Sequence, residues 1–412
     1  MIGSDVVLMK TTISLLLTLA FTLLLPGCAS WPRDAEHPHH IGLQRASNHN
    51  FPSQPTMRSE WKLELGLNHT FLSSRGYTGG PALHEKLPLL AIVAHDQYLW
   101  LIHRDSGRIL WTEKMSAAGI GVPFFVGNIL YVPTEDGKLS AYDVKHRTLK
   151  WRRQFAGLIV APMTLGPDEM YVCDGNNTVY ALKRESGEVL WQYQHRSLED
   201  PRSLVSATPS KGTHMFSLHG EASPLLSDGK LFVGYSDGKV RAFDAMSGAK
   251  LWIRDLAPQL NRFEDVDADF ALIGDTLYAA SAASGLYALS ATTGEIRWFY
   301  PLAGIVTLSP FEGDLILGLQ HGELGRFSTF NRAFNWRVSF GTDGVPQRPV
   351  RFPHGIAVSL SRGGLYVLDV HTGELRDQFS PGSGMQGALA LSNDGWLYAT
   401  SLNGFLYAFS PR

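Results

Sequence analysis

Cysteine is almost missing: 412 residues contain two, Cys28 and Cys173. That excludes a disulfide scaffold and a cysteine-rich metal site. Charged residues are sparse as well, at 18%, with a net charge of −2 and no long basic run. A nucleic-acid partner is therefore not expected. The apolar stretch from Ile13 to Leu25 is too short to cross a bilayer. From Trp61 onward no helical period is sustained, so a helical domain is not expected either.

The short apolar stretch instead suits a signal peptide, with Lys10 ahead of it and Leu25-Pro26-Gly27-Cys28 behind it. That tail resembles a bacterial lipobox, which makes Cys28 the expected lipidation site and 1–27 the signal. The alternative is an ordinary cleaved signal with a chance cysteine. Ala29 and Ser30 follow Cys28, and family experience then points to an outer-membrane anchor. Residues 28–57, rich in Pro, His, Ser and Asn, read as a tether. The remaining thiol, Cys173, sits in the strand-like Met170-Tyr171-Val172-Cys173 and reads as a small buried hydrophobe.

What the chain does have is a recurring tryptophan. Trp111, Trp151, Trp191, Trp252, Trp298 and Trp336 each follow a strand-like run and a turn, and Asp377 holds the seventh place. The spacings are 40, 40, 61, 46, 38 and 41 residues. Such a period marks a repeat architecture. Leu406–Arg412 is a copy cut off before its Trp, and Glu60-Trp61-Lys62-Leu63 is a Trp strand without a copy in front. Joined, they make an eighth unit, which leaves no open edge at a seam. The expected fold is all-β, an eight-bladed propeller over 58–412 closed by pairing of its terminal strands. Turns such as Asp136-Gly137 and Asp237-Gly238 suit two-residue hairpins. The Trp should fill the gap between blades, and the Gly before it should permit the turn. Arg147 and Arg332 replace that Gly, so a locally altered turn is expected at each.

Two spacings are long. The 61-residue gap holds an insertion at about 195–220, and the 46-residue gap holds the acidic loop Asn261 to Asp269. Function concentrates in long loops on rigid scaffolds. Four carboxylates within Glu264–Asp269 could meet cations on a partner and steer its register. Apolar anchors, Phe216, Leu218 or Phe263, would supply most of the energy. Asp265, Asp267 and Asp269 also form an Asp-x-Asp-x-Asp triplet, but no Gly or closing Glu follows at Ca²⁺-loop spacing. No metal is expected there.

The repeat resembles the PQQ-type β-propeller repeat, whose family contains quinoprotein dehydrogenases and non-enzymatic lipoproteins. Leu218-His219-Gly220-Glu221 followed by Asp265-Val266-Asp267 resembles the B lipoproteins of the outer-membrane β-barrel assembly (BAM) machinery. The resemblance implies a scaffold docking on the periplasmic domains of the central, BamA-like barrel subunit, with unfolded outer-membrane proteins as further clients. It assigns partner binding to Asp265, Asp267, Phe216, Leu218 and His219. His219 stands where that family usually has Arg, and imidazole lacks the permanent bidentate fork.

Catalytic patterns do not fit their contexts. Gly234-Tyr235-Ser236-Asp237-Gly238 has the spacing of a hydrolase elbow but sits on a hairpin, not a strand-to-helix turn. Gly382-Ser383-Gly384-Met385-Gln386-Gly387 leads into a strand, so no helix start can meet a pyrophosphate. A PQQ dehydrogenase is the enzyme alternative. The chain lacks a Cys pair and has little length beyond the blades for a cofactor pocket, so no cofactor is expected. The other alternative is a propeller serving a different periplasmic complex.

Overall fold

The computed structural model describes the backbone of 44–45 and residues 56–65, 79–119, 121–159, 161–195, 222–256, 266, 268–281, 283–353 and 355–412. Residues 41–412 form one compact unit. Among the described residues there is no helix. Eight antiparallel sheets follow one another, and each is a blade of an eight-bladed β-propeller. Blade 1 is typical: Ala82–Leu83, Leu89–Val93, Tyr98–His103 and Ile109–Lys114, in chain order from the centre outward. First strands touch between blades 1 and 2, 3 and 4, 5 and 6, 7 and 8, and across the seam between blades 8 and 1, so they line the centre of a closed ring.

The second and third strands carry the core. Their residues are mostly buried, as in Ile129–Thr134 and Gly285–Ser290, while outermost strands such as Val189–Gln194 alternate exposed with half-buried residues. A strand covered on both faces reads as a near-continuous apolar run, and one covered on a single face alternates.

Blade 8 takes its outermost strand from the other end of the sequence. Met57–Glu64 pairs antiparallel with Phe405–Pro411, from Met57↔Pro411 to Glu64↔Phe405. Within the expected tether, Gln44–Arg45 runs parallel to the outermost strand of blade 6, Ala333–Ser339, and makes that sheet five-stranded. An outer strand edge presents unpaired N–H and C=O groups that accept such an addition.

The tryptophans join blades in a repeated way. Indole N–H groups of Trp61, Trp151, Trp191, Trp252 and Trp336 donate to the carbonyls of Arg104, Arg184, Ala245, Ala291 and Val370, each in the next blade. The ring lies against the glycine of that blade's turn: a Cβ added at Gly107, Gly187, Gly248, Gly294 or Gly373 would come within 2.6–2.9 Å of the indole. So glycine is needed there for two reasons, its positive φ and the close indole.

The turns at Arg147 and Arg332 are not altered as expected. Their φ values, 57° and 55°, keep the left-handed conformation of the glycine turns. What changes is the docking. Trp111 and Trp298, at the equivalent positions, make no such indole hydrogen bond to a described residue, as expected if a Cβ takes the space that the glycine turns leave to the indole. Arg332 instead lies over the Trp298 ring, 5.6 Å from its centroid. Arg147→Gly should therefore relieve the left-handed strain and let Trp111 seat. It should stabilise the protein by about 1 kcal/mol, read as a rise in the urea midpoint; an unchanged or lower midpoint would refute the packing account.

Candidate functional site

Chain direction alternates within each blade. Hairpins between second and third strands therefore share one face with the blade-to-blade connectors. The insertion leaves blade 3 after Gln194 and re-enters at Ala222, ahead of blade 4's first strand, Leu225–Ser227. The acidic loop leaves blade 4 after Lys250–Asp255 and returns ahead of Ala271–Ile273 of blade 5. Both are blade-to-blade connectors, at adjoining blades, and their roots lie on one face.

Phe216, Leu218, His219, Asp265 and Asp267 lie outside the described residues, as do Cys28 and Phe263. What the structure shows is how their loops are rooted. Val266, between the two aspartates, is 1% exposed. Its N–H donates to the Tyr235 carbonyl at 3.4 Å, and its own carbonyl sits so close to Gly234 that a Cβ there would approach to 2.7 Å. A buried apolar residue thus pins the middle of the acidic loop to blade 4. Ala222, where the insertion ends, is equally buried, and the Ser223 N–H donates to Asp269 Oδ1 at 3.1 Å. Asp269 also pairs with Arg348, 3.4 Å away on the connector entering blade 7. One aspartate of the triplet is therefore committed to holding the two connectors together.

The other root is an ionic cluster. Arg241, 2% exposed, donates through Nη1 and Nη2 to both Asp237 oxygens at 3.0 and 2.6 Å. Its guanidinium lies 4.3 Å over the Tyr235 ring. His195, the last described residue before the insertion, completes it: Nε2 lies 3.0 Å from Asp237 Oδ2, and Arg241 Nη2 lies 3.1 Å from Nδ1. An arginine cannot accept, so Nδ1 is the acceptor and Nε2 carries the proton, which defines a neutral tautomer. Burial, then the Arg241 charge, pushes the His195 pKa down, against the opposing pull of Asp237. Burial works to raise the Asp237 carboxyl, but hydrogen bonds and charge from Arg241 outweigh it and hold the carboxyl below the usual range.

The motif-like Ser236 belongs to this hairpin as a structural residue. Its hydroxyl accepts from Asn177 Nδ2 at 2.8 Å, tying blade 3 to blade 4. Gly382–Gly387 leads into blade 8's first strand, Met385–Leu391. Cys173 is buried in blade 3's second strand, Glu169–Asp174, as expected.

Sequence reasoning missed His195, Asp237 and Arg241 as a unit. A signal was present: seven residues before the turn glycine, blades 1, 3, 5 and 7 carry Trp100, Tyr180, Tyr287 and Tyr366, where blade 4 carries Arg241.

The sequence model of the family described as outer membrane protein assembly factor BamB matches residues 95–338 and 236–384. The assembly factor BamB of Moranella endobia is 22% identical over 287 residues, covering 66% of this chain and 70% of its own length. The crystal structure of BamB from Moraxella catarrhalis superposes with a TM-score of 0.67 at 21% identity, covering 86% of this chain and 99% of its own. A quinohemoprotein alcohol dehydrogenase from Pseudomonas putida HK5 reaches 0.68 at 12% identity, over 86% of this chain and 76% of its own. At these identities both structures speak to the fold alone.

Proposed function

The chain belongs to the BamB family of outer membrane protein assembly factors, and from that premise we propose that it is a non-catalytic scaffold of β-barrel assembly. Anchored through lipid on Cys28, it faces the periplasm from the outer membrane. It docks on the periplasmic domains of the central barrel subunit and supports folding and insertion of outer-membrane proteins. Phe216, Leu218 and His219 on the insertion and Asp265 and Asp267 on the acidic loop make the contact. The observation that carries this reading is the rooting of both enlarged connectors side by side on one face, by Val266, Ser223–Asp269 and the His195–Asp237–Arg241 cluster. Rigid roots reduce the ordering cost of binding. Apolar anchors on the insertion would provide affinity, and the carboxylates would provide register.

Co-purification from detergent-solubilised membranes tests it. Asp265→Arg combined with Asp267→Arg should abolish capture of the barrel subunit and leave the melting temperature unchanged. Undiminished capture would remove the docking assignment. The quinoprotein dehydrogenases share the fold, which by itself assigns no chemistry. Dye-linked alcohol oxidation after loading with PQQ and Ca²⁺ is the measurement that would establish the enzyme reading instead.

A further inference from the structure

The outer hairpin of blade 2, strands Lys138–Asp143 and Thr148–Gln154, holds six cations against one carboxylate: Lys138, Lys145, Arg147, Lys150, Arg152 and Arg153 against Asp143. The whole chain has a net charge of −2, so this positive charge is concentrated. The matching hairpin of blade 3 balances Lys183 and Arg184 with Glu185 and Glu188, that of blade 5 balances Arg297 with Glu295, and that of blade 7 is acidic.

The local carboxylate is already engaged. Asp143 accepts from His146 Nδ1 at 2.8 Å and from the backbone N–H groups of Lys145 and His146. Lys138 pairs with Asp136. Arg152 bonds Ser140 and Tyr142, and Arg153 bonds the Gly187 carbonyl, contacts that orient the guanidinium groups without neutralising them. Lys145, Arg147 and Lys150 are exposed, with no ion-pair partner among the described residues. Leu149, amid them, is 44% exposed.

We propose that this rim is a membrane-contact surface: its cations meet the anionic headgroups of a phospholipid bilayer, and Leu149 enters the interfacial layer. An outermost strand is a convex edge without a pocket. An acidic polypeptide would need buried anchors to bind there, whereas a plane of charge needs none. Long Lys and Arg stems reach headgroups while an apolar neighbour dips between them. The inference rests on the proposed lipid anchor, which keeps the ring within reach of the bilayer; one lipid chain joined by a basic patch holds better than either.

The test uses residues 29–412, so that neither signal nor lipid contributes, floated with vesicles. It should float with phosphatidylglycerol-rich vesicles at low salt, and stay behind with phosphatidylcholine vesicles or at high salt. Lys145→Gln, Arg147→Gly and Lys150→Gln together should lower partitioning roughly a hundredfold, about fivefold per cation, without lowering the melting temperature. Equal flotation of the triple variant, or none by the parent, overturns the proposal. Retention on a polyglutamate matrix without flotation overturns it in favour of an acidic polypeptide. Failure here leaves the Cys28 anchor standing, since palmitate labelling of the full chain reads that separately.

Discussion

Asp377→Ala should loosen the ring at its seam and destabilise the protein by about 2–4 kcal/mol, the cost of stranding one buried and one half-buried backbone donor. Asp377 occupies the place that all seven other blades give to Trp, and it is 7% exposed. Its Oδ2 accepts from the backbone N–H groups of Thr56 at 2.7 Å and Met57 at 2.9 Å, where the sealing strand begins. In five other blades the Trp docks on the turn between the next blade's third and fourth strands. Blade 8 has no such turn, because its third and fourth strands come from opposite ends of the sequence. An indole there would have no carbonyl to donate to, and two N–H groups at the start of Met57–Glu64 would stay unbonded. A carboxylate reverses the polarity to fit. Hence Asp377→Trp, which restores the repeat, should be no better than Asp377→Ala, while Asp377→Asn should keep part of the stability through its carbonyl oxygen. Urea denaturation, with limited proteolysis near residue 56, measures this. Parental stability in the Ala variant, or a stable Trp variant, would sink the seam account.

Arg241→Met should cost about 3 kcal/mol, because it leaves Asp237 half-buried with its closest cation gone. The guanidinium over Tyr235 is lost too. Adding Asp237→Asn should recover most of the loss. Both charges then leave together, and Asn-Gly forms the same hairpin turn as Asp-Gly. If the double variant is no more stable than Arg241→Met, the charge argument fails and only packing remains. The same cluster sets a pH dependence. The folded-state pKa of His195 is lowered, so the unfolded chain binds its proton first as pH falls. The cluster's contribution is present above the ordinary histidine range near 6.5 and is lost as pH falls through it. Stability measured from pH 7.5 to 5 should decline in the parent, and His195→Gln should flatten that decline. Because His195 stands at the root of the insertion, capture of the barrel subunit should weaken in Arg241→Met even where the protein remains folded.

The repeat was legible because it is local. Each unit places Trp, turn glycine and apolar strands within about forty residues, and eight copies reinforce one another. The Arg turns show where such reading stops. Residue type suggested an altered backbone at Arg147 and Arg332, but the neighbouring blade decides the outcome. The φ survives, at 57° and 55°, and it is the opposing indole that yields. The face carrying the two enlarged connectors was legible only as two long spacings; the buried roots on it, Val266 and Arg241, depend on hairpin contacts that spacing does not record.

The amino-acid order by itself determined the eight-unit ring, its closure by the sequence's two ends, and the blades that carry enlarged connectors, because periodic burial is written into each strand. Tertiary structure alone decided what the exceptions do. Asp377 meets Thr56 across 321 residues, Arg241 meets His195 across 46, and Gln44–Arg45 finds the edge of blade 6. Those pairings depend on which strand ends the closed ring brings within hydrogen-bond reach, and no local pattern carries that distance.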